Sequence, residues 1–232
     1  MRNQMVYALH KTGAYRVLDE CRDYAERLQS SKQHSFSQYG EDLFLQEHFK
    51  GRKGFYIDIG GNHPMRGSNT FELYRQGWEG VVVEPIKRFY TKHKRLRPRD
   101  IQVNAAVGSS LGDLTFFEMI PSVLSTCDSE VAKEVLSTGR GRLLREYTVP
   151  VTTVAELYRS HLFPRAVSLL CVDTEGHDLD VLMGVDWDSL HPEIVICEAN
   201  EEFQEIEINR YLAAYGYSCL ESLGGSLVFA LP

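Results

Sequence analysis

The arrangement of apolar and polar positions changes along the chain near residue 54. Before it, residues 4–30 space single apolar side chains among charges, which is typical of one or two amphipathic helices. Beyond it, short and nearly continuous apolar runs alternate with helix-like segments. These runs are FYIDIG (55–60), GVVVEP (80–85), IQVNAAVG (101–108), VSLLCVD (167–173) and EIVICEAN (193–200). Because such strands are covered by helices on both faces, the pattern predicts an α/β fold around a parallel sheet.

The end of the chain has a different pattern. YSCLES (217–222) and SLVFAL (226–231) flank Leu223-Gly224-Gly225, which is a hairpin signal. The sheet is therefore expected to finish with an antiparallel pair of strands. Residues 120–147 have no clean period and many polar residues, so we expect an insertion over the sheet at about 109–147. This insertion and the N-terminal helices are expected to form the pocket for a second substrate.

Charge and composition exclude several classes of protein. The chain has 232 residues, a net charge of −7 and an isoelectric point near 5.6, which opposes binding to nucleic acid or to an anionic membrane. The basic run KHKRLRPR (92–99) is interpreted as a solvated helix face and loop. Apolar runs such as VSLLCV (167–172) are far too short for an integral membrane segment, and the N-terminus lacks a secretory pattern. Five cysteines without a CxxC pair favour reduced thiols, buried at Cys171, Cys197 and Cys219, in a cytoplasmic protein.

The stretch FYIDIGGN (55–62) ends a predicted strand in a carboxylate and two glycines. In an open α/β sheet, ligands lie beyond the carboxyl ends of the strands, and Gly60 and Gly61 would let a ligand touch the backbone there. Glu84 ends the next strand, where a carboxylate can accept hydrogen bonds from the two hydroxyls of a ribose. A dinucleotide fingerprint and a GK[ST] loop are both absent. Asp58 would repel a phosphate but suits the cationic groups of S-adenosylmethionine.

Six sequence blocks occur in a characteristic order: SQYGED (37–42), FYIDIGGNHP (55–64), SNTFELYRQGWEGVVVEP (68–85), NAAVG (104–108), CVDTEGHDLDVLMGVDW (171–187) and IVICEAN (194–200). Through these blocks the chain resembles the FkbM family of methyltransferases over roughly residues 35–231. The resemblance implies a class I methyltransferase (Rossmann-like) fold, with a seven-stranded, mostly parallel sheet ending in an antiparallel hairpin. It also implies methyl transfer from S-adenosylmethionine to a hydroxyl of a sugar or other small molecule. Gly61 departs from the alanine that the family often has.

With this fold, the candidate cofactor residues lie at the strand ends and in two loops. SQYGED is interpreted as an ordered loop over the cofactor, so that residues 1–50 form a helical segment covering the site and residues 51–232 form the methyltransferase domain. Ser68 either contacts the methionine part of the cofactor or caps the helix that it is expected to open. The candidate set is Gln38, Asp58, Gly60, Asn62, Ser68, Asn69, Glu84, Pro85, Asn104, Ala105 and Asp173, with Asn104 and Ala105 at the adenine edge.

Transfer of a methyl group to an oxygen requires orientation of the reactants and removal of the hydroxyl proton. Asp173 ends the fourth predicted strand and would point at the methyl donor, or else cap the following helix. His177 is the candidate general base because histidine exchanges protons near neutral pH, although a first-turn histidine can simply face solvent. His63, just beyond the glycine turn, is the alternative base, or a loop histidine packed against Pro64.

A divalent cation is a further expectation of the strand ends. Asp173 and Glu198 end neighbouring predicted strands, and with Asn200 they offer the oxygen ligands that Mg²⁺ takes. The same two carboxylates could instead bind substrate, so the sequence leaves Mg²⁺ open as a cofactor.

The function predicted from these features is S-adenosylmethionine-dependent O-methylation of a sugar or small hydroxylated metabolite. Two alternatives stay open: a non-catalytic module that binds S-adenosylmethionine, and a methyltransferase acting on nucleic acid or protein. The acidic charge and the absence of an Asn/Asp-Pro-Pro-aromatic motif oppose the nucleic-acid alternative. Assembly into a homo-oligomer is also left open.

Overall fold

The computed structural model describes residues 35–199 and 201–232; the helices expected over 4–30, and Asn200, lie outside them. The strands are β1 (Phe55–Ile59), β2 (Glu79–Val83), β3 (Ile101–Val103), β4 (Ala106–Val107), β5 (Gly112–Ile120), β6 (Arg142–Thr152), β7 (Val167–Val172), β8 (Ile194–Glu198), β9 (Ser218–Leu223) and β10 (Ser226–Ala230). The helices are α1 (Glu41–His48), α2 (Phe71–Arg75), α3 (Lys87–Leu96), α4 (Ser129–Ser137), α5 (Val154–Leu157), α6 (Asp178–Met183) and α7 (Glu202–Ala213). A 3-10 turn spans Ser122–Leu124, and a π-helical turn, Tyr158–Leu162, continues α5.

The central sheet has seven strands in the order β3-β2-β1-β7-β8-β10-β9. The first five are parallel, whereas β10 runs antiparallel to both β8 and β9. The predicted fold class, with its terminal antiparallel hairpin, is therefore confirmed. The apolar runs form the sheet because both of its faces are covered: Ile57 and Ile59 pack on one face, and Tyr56 packs on the other.

The insertion contains a second, three-stranded sheet in the order β4-β6-β5, which the sequence did not predict. The expectation of one strand over residues 101–108 was wrong, because β3 ends at Val103 and β4 belongs to this second sheet. Asn104 turns the chain between the two sheets: its side-chain amide donates to the carbonyl oxygens of Glu84 (2.8 Å) and Pro85 (2.9 Å). β5 and β6 lack a clear period because much of both strands is exposed.

The basic run 92–99 is only partly solvated, which corrects the interpretation of this segment. His93 and Arg97 are both fully buried. Arg97 Nε donates to Asp100 at 2.7 Å, and Arg97 Nη2 donates to the hydroxyl of Tyr56 at 2.8 Å. This buried ion pair fixes the end of α3 against the central sheet, because moving either residue would leave a buried charge without its partner.

The loop SQYGED is ordered by its own carboxylates. Asp42 accepts hydrogen bonds from the hydroxyls of Ser35 (2.7 Å) and Ser37 (2.8 Å), and Glu41 accepts one from Ser226 of β10 at 2.7 Å. Both carboxylates are buried, which explains so polar a motif beside the core. The domain boundary at residue 50 stays a prediction.

Two further expectations concern thiols and membranes. Cys171 and Cys197 are buried as predicted, but Cys219 is exposed because β9 is the edge strand of the sheet. Among the described residues, the helices are too short or too polar to cross a bilayer.

Candidate functional site

A cavity opens at the carboxyl ends of β1, β2 and β7, with the second sheet forming its opposite wall. The second sheet and its loops contribute Phe116, Ser122, Val123, Ser125 and Cys127 to the lining, and no sequence signal had singled these residues out. The cavity also brings together a large part of the predicted site, namely Gln38, Gly60, Asn62, Glu84, Pro85, Ala105, Asp173 and His177.

The glycine turn after β1 lies against the end of β7. Gly60 has a φ of 80°, and a Cβ at this position would overlap the carbonyl oxygen of Asp173. A Cβ at Gly61 would collide with Val82 of β2. The turn therefore requires glycine at position 60, whose backbone stays open to the cavity, and the Val82 side chain leaves no room for a Cβ at position 61 in this chain.

Glu84 is held at the end of β2 by backbone donors. Its Oε2 accepts from the N–H of Asn62 at 2.7 Å, and its Oε1 accepts from the N–H of Ile86 at 2.5 Å. Burial raises the pKa of Glu84 to about 8, and the two backbone hydrogen bonds oppose that rise. Its carboxylate lines the cavity at the position expected for a ribose ligand.

The carboxylate of Asp58 does not line the cavity, which corrects the interpretation that it faces the methyl donor. Side chains alternate along a strand, so Asp58 lies on the face of β1 opposite Ile57 and Ile59. It accepts a short hydrogen bond from the Thr70 hydroxyl, and Arg97 Nη1 lies 3.9 Å away. Burial raises the pKa of Asp58, and the Arg97 charge opposes this rise.

Four other cofactor or base candidates also lie outside the lining of this cavity: His63, Ser68, Asn69 and Asn104. His63 is buried, and its Nδ1 accepts the backbone N–H groups of Met65 and Arg66, both at 3.2 Å. This turn holds the His63 ring against Phe89 and opposes its use as a base. Ser68 does not open a helix, because α2 begins at Phe71; its hydroxyl accepts instead from Arg97 at 3.3 Å.

Three carboxylates converge beyond β7 and β8. Asp173, Glu175 and Glu198 each place an oxygen within 4.8 Å of the others, so the expected neighbourhood of Asp173 and Glu198 is confirmed. Asp178 lies beneath them, accepting from Thr174 and from the backbone N–H of Glu198 at 3.0 Å. We call Asp173, Glu175 and Glu198 the carboxylate cluster. The sequence favoured Glu175 as a capping or supporting carboxylate and did not place it in this cluster; its positive φ of 54° turns the loop after β7.

Asp173 and Glu175 of the carboxylate cluster have raised pKa values. Desolvation, followed by repulsion from neighbouring carboxylates, raises the pKa of Asp173 well above its usual range and that of Glu175 to about 8. The pKa of Asp178 rises to about 7, with burial as the main cause. Although the surface of Asp173 is open to the cavity, the surrounding protein restricts its hydration. The cluster therefore holds protons near neutral pH, or a cation in their place.

The side chain of His177 lies on the cavity wall at the start of α6. Its Nε2 is 3.0 Å from Oδ2 of Asp180, whose carboxylate accepts from the N–H (2.9 Å) and the hydroxyl (2.7 Å) of Ser109. Burial raises the pKa of Asp180, but the two Ser109 hydrogen bonds and the nearby His177 outweigh it, so this pKa lies below its usual value. This arrangement orients the imidazole, so that one ring nitrogen faces Asp180.

The donor set of the carboxylate cluster fits a hard divalent cation. Mg²⁺ takes carboxylate oxygens and keeps several waters, and the cluster offers three carboxylates on the cavity side of β7 and β8. Glu175 thus joins the predicted ligands Asp173 and Glu198, while Asn200 lies outside the described residues.

Sheet order, the glycine turn after β1 and the acid that ends β2 define a class I S-adenosylmethionine-dependent methyltransferase. The model of the methyltransferase FkbM domain matches residues 58–219, and the chain belongs to this family. It is accordingly an S-adenosylmethionine-dependent methyltransferase. A search of curated proteins found no significant match.

Solved structures with a similar chain path include a TehB-like methyltransferase from Corynebacterium glutamicum, with 11% identity, a TM-score of 0.45, and coverage of 92% of this chain and 99% of that one. An O-methyltransferase from Thermotoga maritima has 10% identity and a TM-score of 0.42, over 89% of this chain and 70% of that one. An O-methyltransferase from Bacillus cereus in complex with S-adenosylhomocysteine has 11% identity and a TM-score of 0.37, over 89% of this chain and 87% of that one.

Proposed function

We propose that the protein methylates a hydroxyl group of a sugar or another small hydroxylated metabolite. The observation that carries this proposal is the position of Asp173, Glu175 and His177 on one cavity with the glycine turn. Proton-accepting groups thereby lie beside the place where a class I methyltransferase binds its methyl donor. The net charge of −7 favours a small acceptor over a polyanionic nucleic acid.

In this proposal the groups around the first cavity divide the work of binding and proton transfer. Bound S-adenosylmethionine supplies a methyl group already activated on its sulfonium. The Glu84 carboxylate accepts hydrogen bonds from the ribose hydroxyls. Because Gly60 has no side chain, its backbone approaches the ligand directly. His177 takes the proton of the acceptor hydroxyl as the oxygen–carbon bond forms and the carbon–sulfur bond breaks, its electron pair passing to sulfur. Asp180 keeps the imidazole oriented during this transfer.

We propose that Asp173, Glu175 and Glu198 hold Mg²⁺ at the carboxylate cluster. A cation there would be a Lewis acid for the acceptor oxygen and would relieve the repulsion among the three carboxylates. In thermal unfolding at pH 8.5, Mg²⁺ should raise the midpoint of the wild type and leave that of Glu175→Gln with Asp173→Asn nearly unchanged. An equal shift of the midpoint in both proteins would show that Mg²⁺ does not bind at this cluster.

The function is tested by two measurements on the same protein. Calorimetry with S-adenosylmethionine should show one site per chain, and incubation with a panel of glycosides, amino sugars, RNA and a protein lysate should give an O-methylated small molecule. Binding without transfer to any acceptor would favour the non-catalytic module, and transfer to RNA or protein alone would overturn the acceptor class. Exhaustive chelation then separates a metal-dependent reaction from a metal-independent one.

A further inference from the structure

A second cavity, of about 370 Å³, lies between α6 and α7, beside the carboxylate cluster. Glu198 lines this cavity, and its carboxylate lies within 4.8 Å of oxygens of Asp173 and Glu175, which line the first cavity. The carboxylate cluster therefore lies between the two cavities, with Glu198 on the wall of the second. A ligand in the second cavity would have one end beside Glu198, at the edge of the carboxylate cluster.

Part of the wall of the second cavity is apolar and open to solvent. Leu179 and Met183 of α6 face Phe203 and Ile208 of α7 across it. Phe203 is 65% exposed and Met183 is 50% exposed, although both belong to helices that pack on the central sheet. Large apolar side chains exposed together around a concave surface are typical of a ligand site.

The rest of the wall is acidic. Glu201 and Glu207 of the α7 segment join Glu198, and no Lys or Arg of residues 35–199 or 201–232 lines the cavity. The two acidic side chains of α6 already accept hydrogen bonds within the protein, Asp178 from Thr174 and Asp180 from Ser109. A cation between these glutamates and the face of Phe203 would gain ion-pair and cation–π energy together.

We propose that the second cavity is the acceptor site, and that it takes a hydroxylated acceptor bearing a protonated amine next to an apolar group. The amine lies between Glu207 and Glu201, the apolar group packs on Phe203 and Met183, and the reacting hydroxyl reaches the carboxylate cluster. An aryl glycoside of an amino sugar has this combination of groups. The inference rests on the proposed function, because it assigns the acceptor of that reaction.

The test uses three probes with the protein saturated by S-adenosylhomocysteine: phenyl β-D-glucosaminide, phenyl β-D-glucoside and methyl β-D-glucosaminide. The first carries both recognition groups, and each of the others lacks one. Calorimetry should show the first binding at least about tenfold more tightly than either of the others, as expected for one desolvated charge or one buried ring. Equal affinities, or no binding of the first probe, would overturn the proposal.

Matched variants locate the effect on the protein. Glu207→Gln should abolish the preference for the amine, whereas Glu205→Gln, which removes the same charge from an exposed position of α7 outside the cavity lining, should keep it. Phe203→Ala should weaken both phenyl probes about tenfold, and Leu220→Ala, which shortens an exposed apolar side chain on β9, should weaken neither. If the control variants behave like the cavity variants, the site lies elsewhere.

Calorimetry with S-adenosylmethionine separates this inference from the function on which it rests. If S-adenosylmethionine binds and glycosides are methylated without any preference for the amine, the acceptor assignment fails and the proposed function stands. If S-adenosylmethionine does not bind, the proposed function itself fails.

Discussion

The backbone N–H of Asn62 donates to Oε2 of Glu84 across 2.7 Å, which joins the glycine turn after β1 to the end of β2. Glu84 therefore has two tasks: it shapes the turn, and it presents a carboxylate to the cavity. The second hydrogen bond, from the N–H of Ile86, fixes the carboxylate plane before any ligand arrives. Such preorganisation reduces the cost of ordering the site on binding.

Cofactor binding should depend on Glu84 and on pH. Glu84→Ala should weaken S-adenosylmethionine binding by about 1.5–3 kcal/mol, the range for hydrogen bonds to a charged group. Because burial raises the pKa of Glu84 to about 8, its carboxylate becomes charged, and a stronger acceptor for ribose hydroxyls, as pH rises through that value. Affinity should therefore increase from pH 7 to pH 9.

The pH series is best measured by calorimetry with adenosine, since the amino group of S-adenosylmethionine also titrates in this range. Glu84→Gln cannot gain the charge and should show a flat profile. A wild-type affinity that falls with pH, or a Glu84→Gln profile that rises like the wild type, would contradict the ribose assignment.

Gly60→Ala should damage both the turn and the cofactor site. The new Cβ would overlap the backbone of Asp173, and the residue would keep an unfavourable φ of 80°. We expect a loss of about 1–3 kcal/mol in the free energy of unfolding, together with loss of S-adenosylmethionine binding. Gly112→Ala is the control, because a Cβ there meets open space, and it should change stability by less than about 0.5 kcal/mol in urea.

Removing the Arg97 charge should destabilise the fold without touching the cavity. Arg97→Met leaves Asp58 and Asp100 buried without their cation, which typically costs about 3–5 kcal/mol. Lys94→Met removes an exposed charge from the same helix and should cost less than about 0.5 kcal/mol. Chemical denaturation monitored by tryptophan fluorescence compares the two. Equal stabilities would show that the buried network contributes little.

His177 is expected to act on the chemical step alone. His177→Ala and His177→Gln should slow single-turnover methyl transfer by about 10²–10⁴-fold while leaving S-adenosylmethionine affinity intact, because neither side chain can take the acceptor proton. The exposed His191, which does not line the cavity, provides the control substitution His191→Ala. Near-wild-type single-turnover rates in both His177 variants would exclude it as the base.

The carboxylate cluster should make the ligand-free protein less stable at alkaline pH. The folded-state pKa of Glu175, about 8, lies above its unfolded value of 4.5, so folding favours its protonated form. This stability is fully present below about pH 4.5 and is lost as pH rises through 8. The raised pKa values of Asp173 and Asp178 act in the same direction.

Unfolding in urea with a chelator, from pH 5 to pH 9, measures this dependence. Glu175→Gln should reduce the loss in the free energy of unfolding between pH 5 and pH 9 by about 1 kcal/mol or more, since each pKa unit corresponds to about 1.4 kcal/mol. Glu146→Gln, on an exposed position of β6, should leave the decline unchanged. A wild-type stability that rises with pH over this range would refute the assigned direction.

The central sheet and the cofactor edge could be predicted from the sequence because their signals are local. A run such as VSLLCV has few alternatives to a buried strand, and the carboxyl ends of parallel strands share one edge of a sheet. Gly60 and Glu84 were predicted at this edge, and both line the cavity there. The terminal hairpin followed in the same way from the glycines at its turn.

Tertiary structure decided features that depend on residues far apart in the chain. The side of the sheet on which Asp58 lies follows from the strand register, and the buried charge of Arg97 is compensated by Asp58 and Asp100, which it meets there. The second sheet has no local period, since β5 and β6 are partly exposed and a pair such as Glu118 and Arg145 (2.7 Å) forms only after folding. Likewise, the carboxylate cluster joins the loop after β7 to the end of β8, and its charges shift one another's pKa values only at that distance.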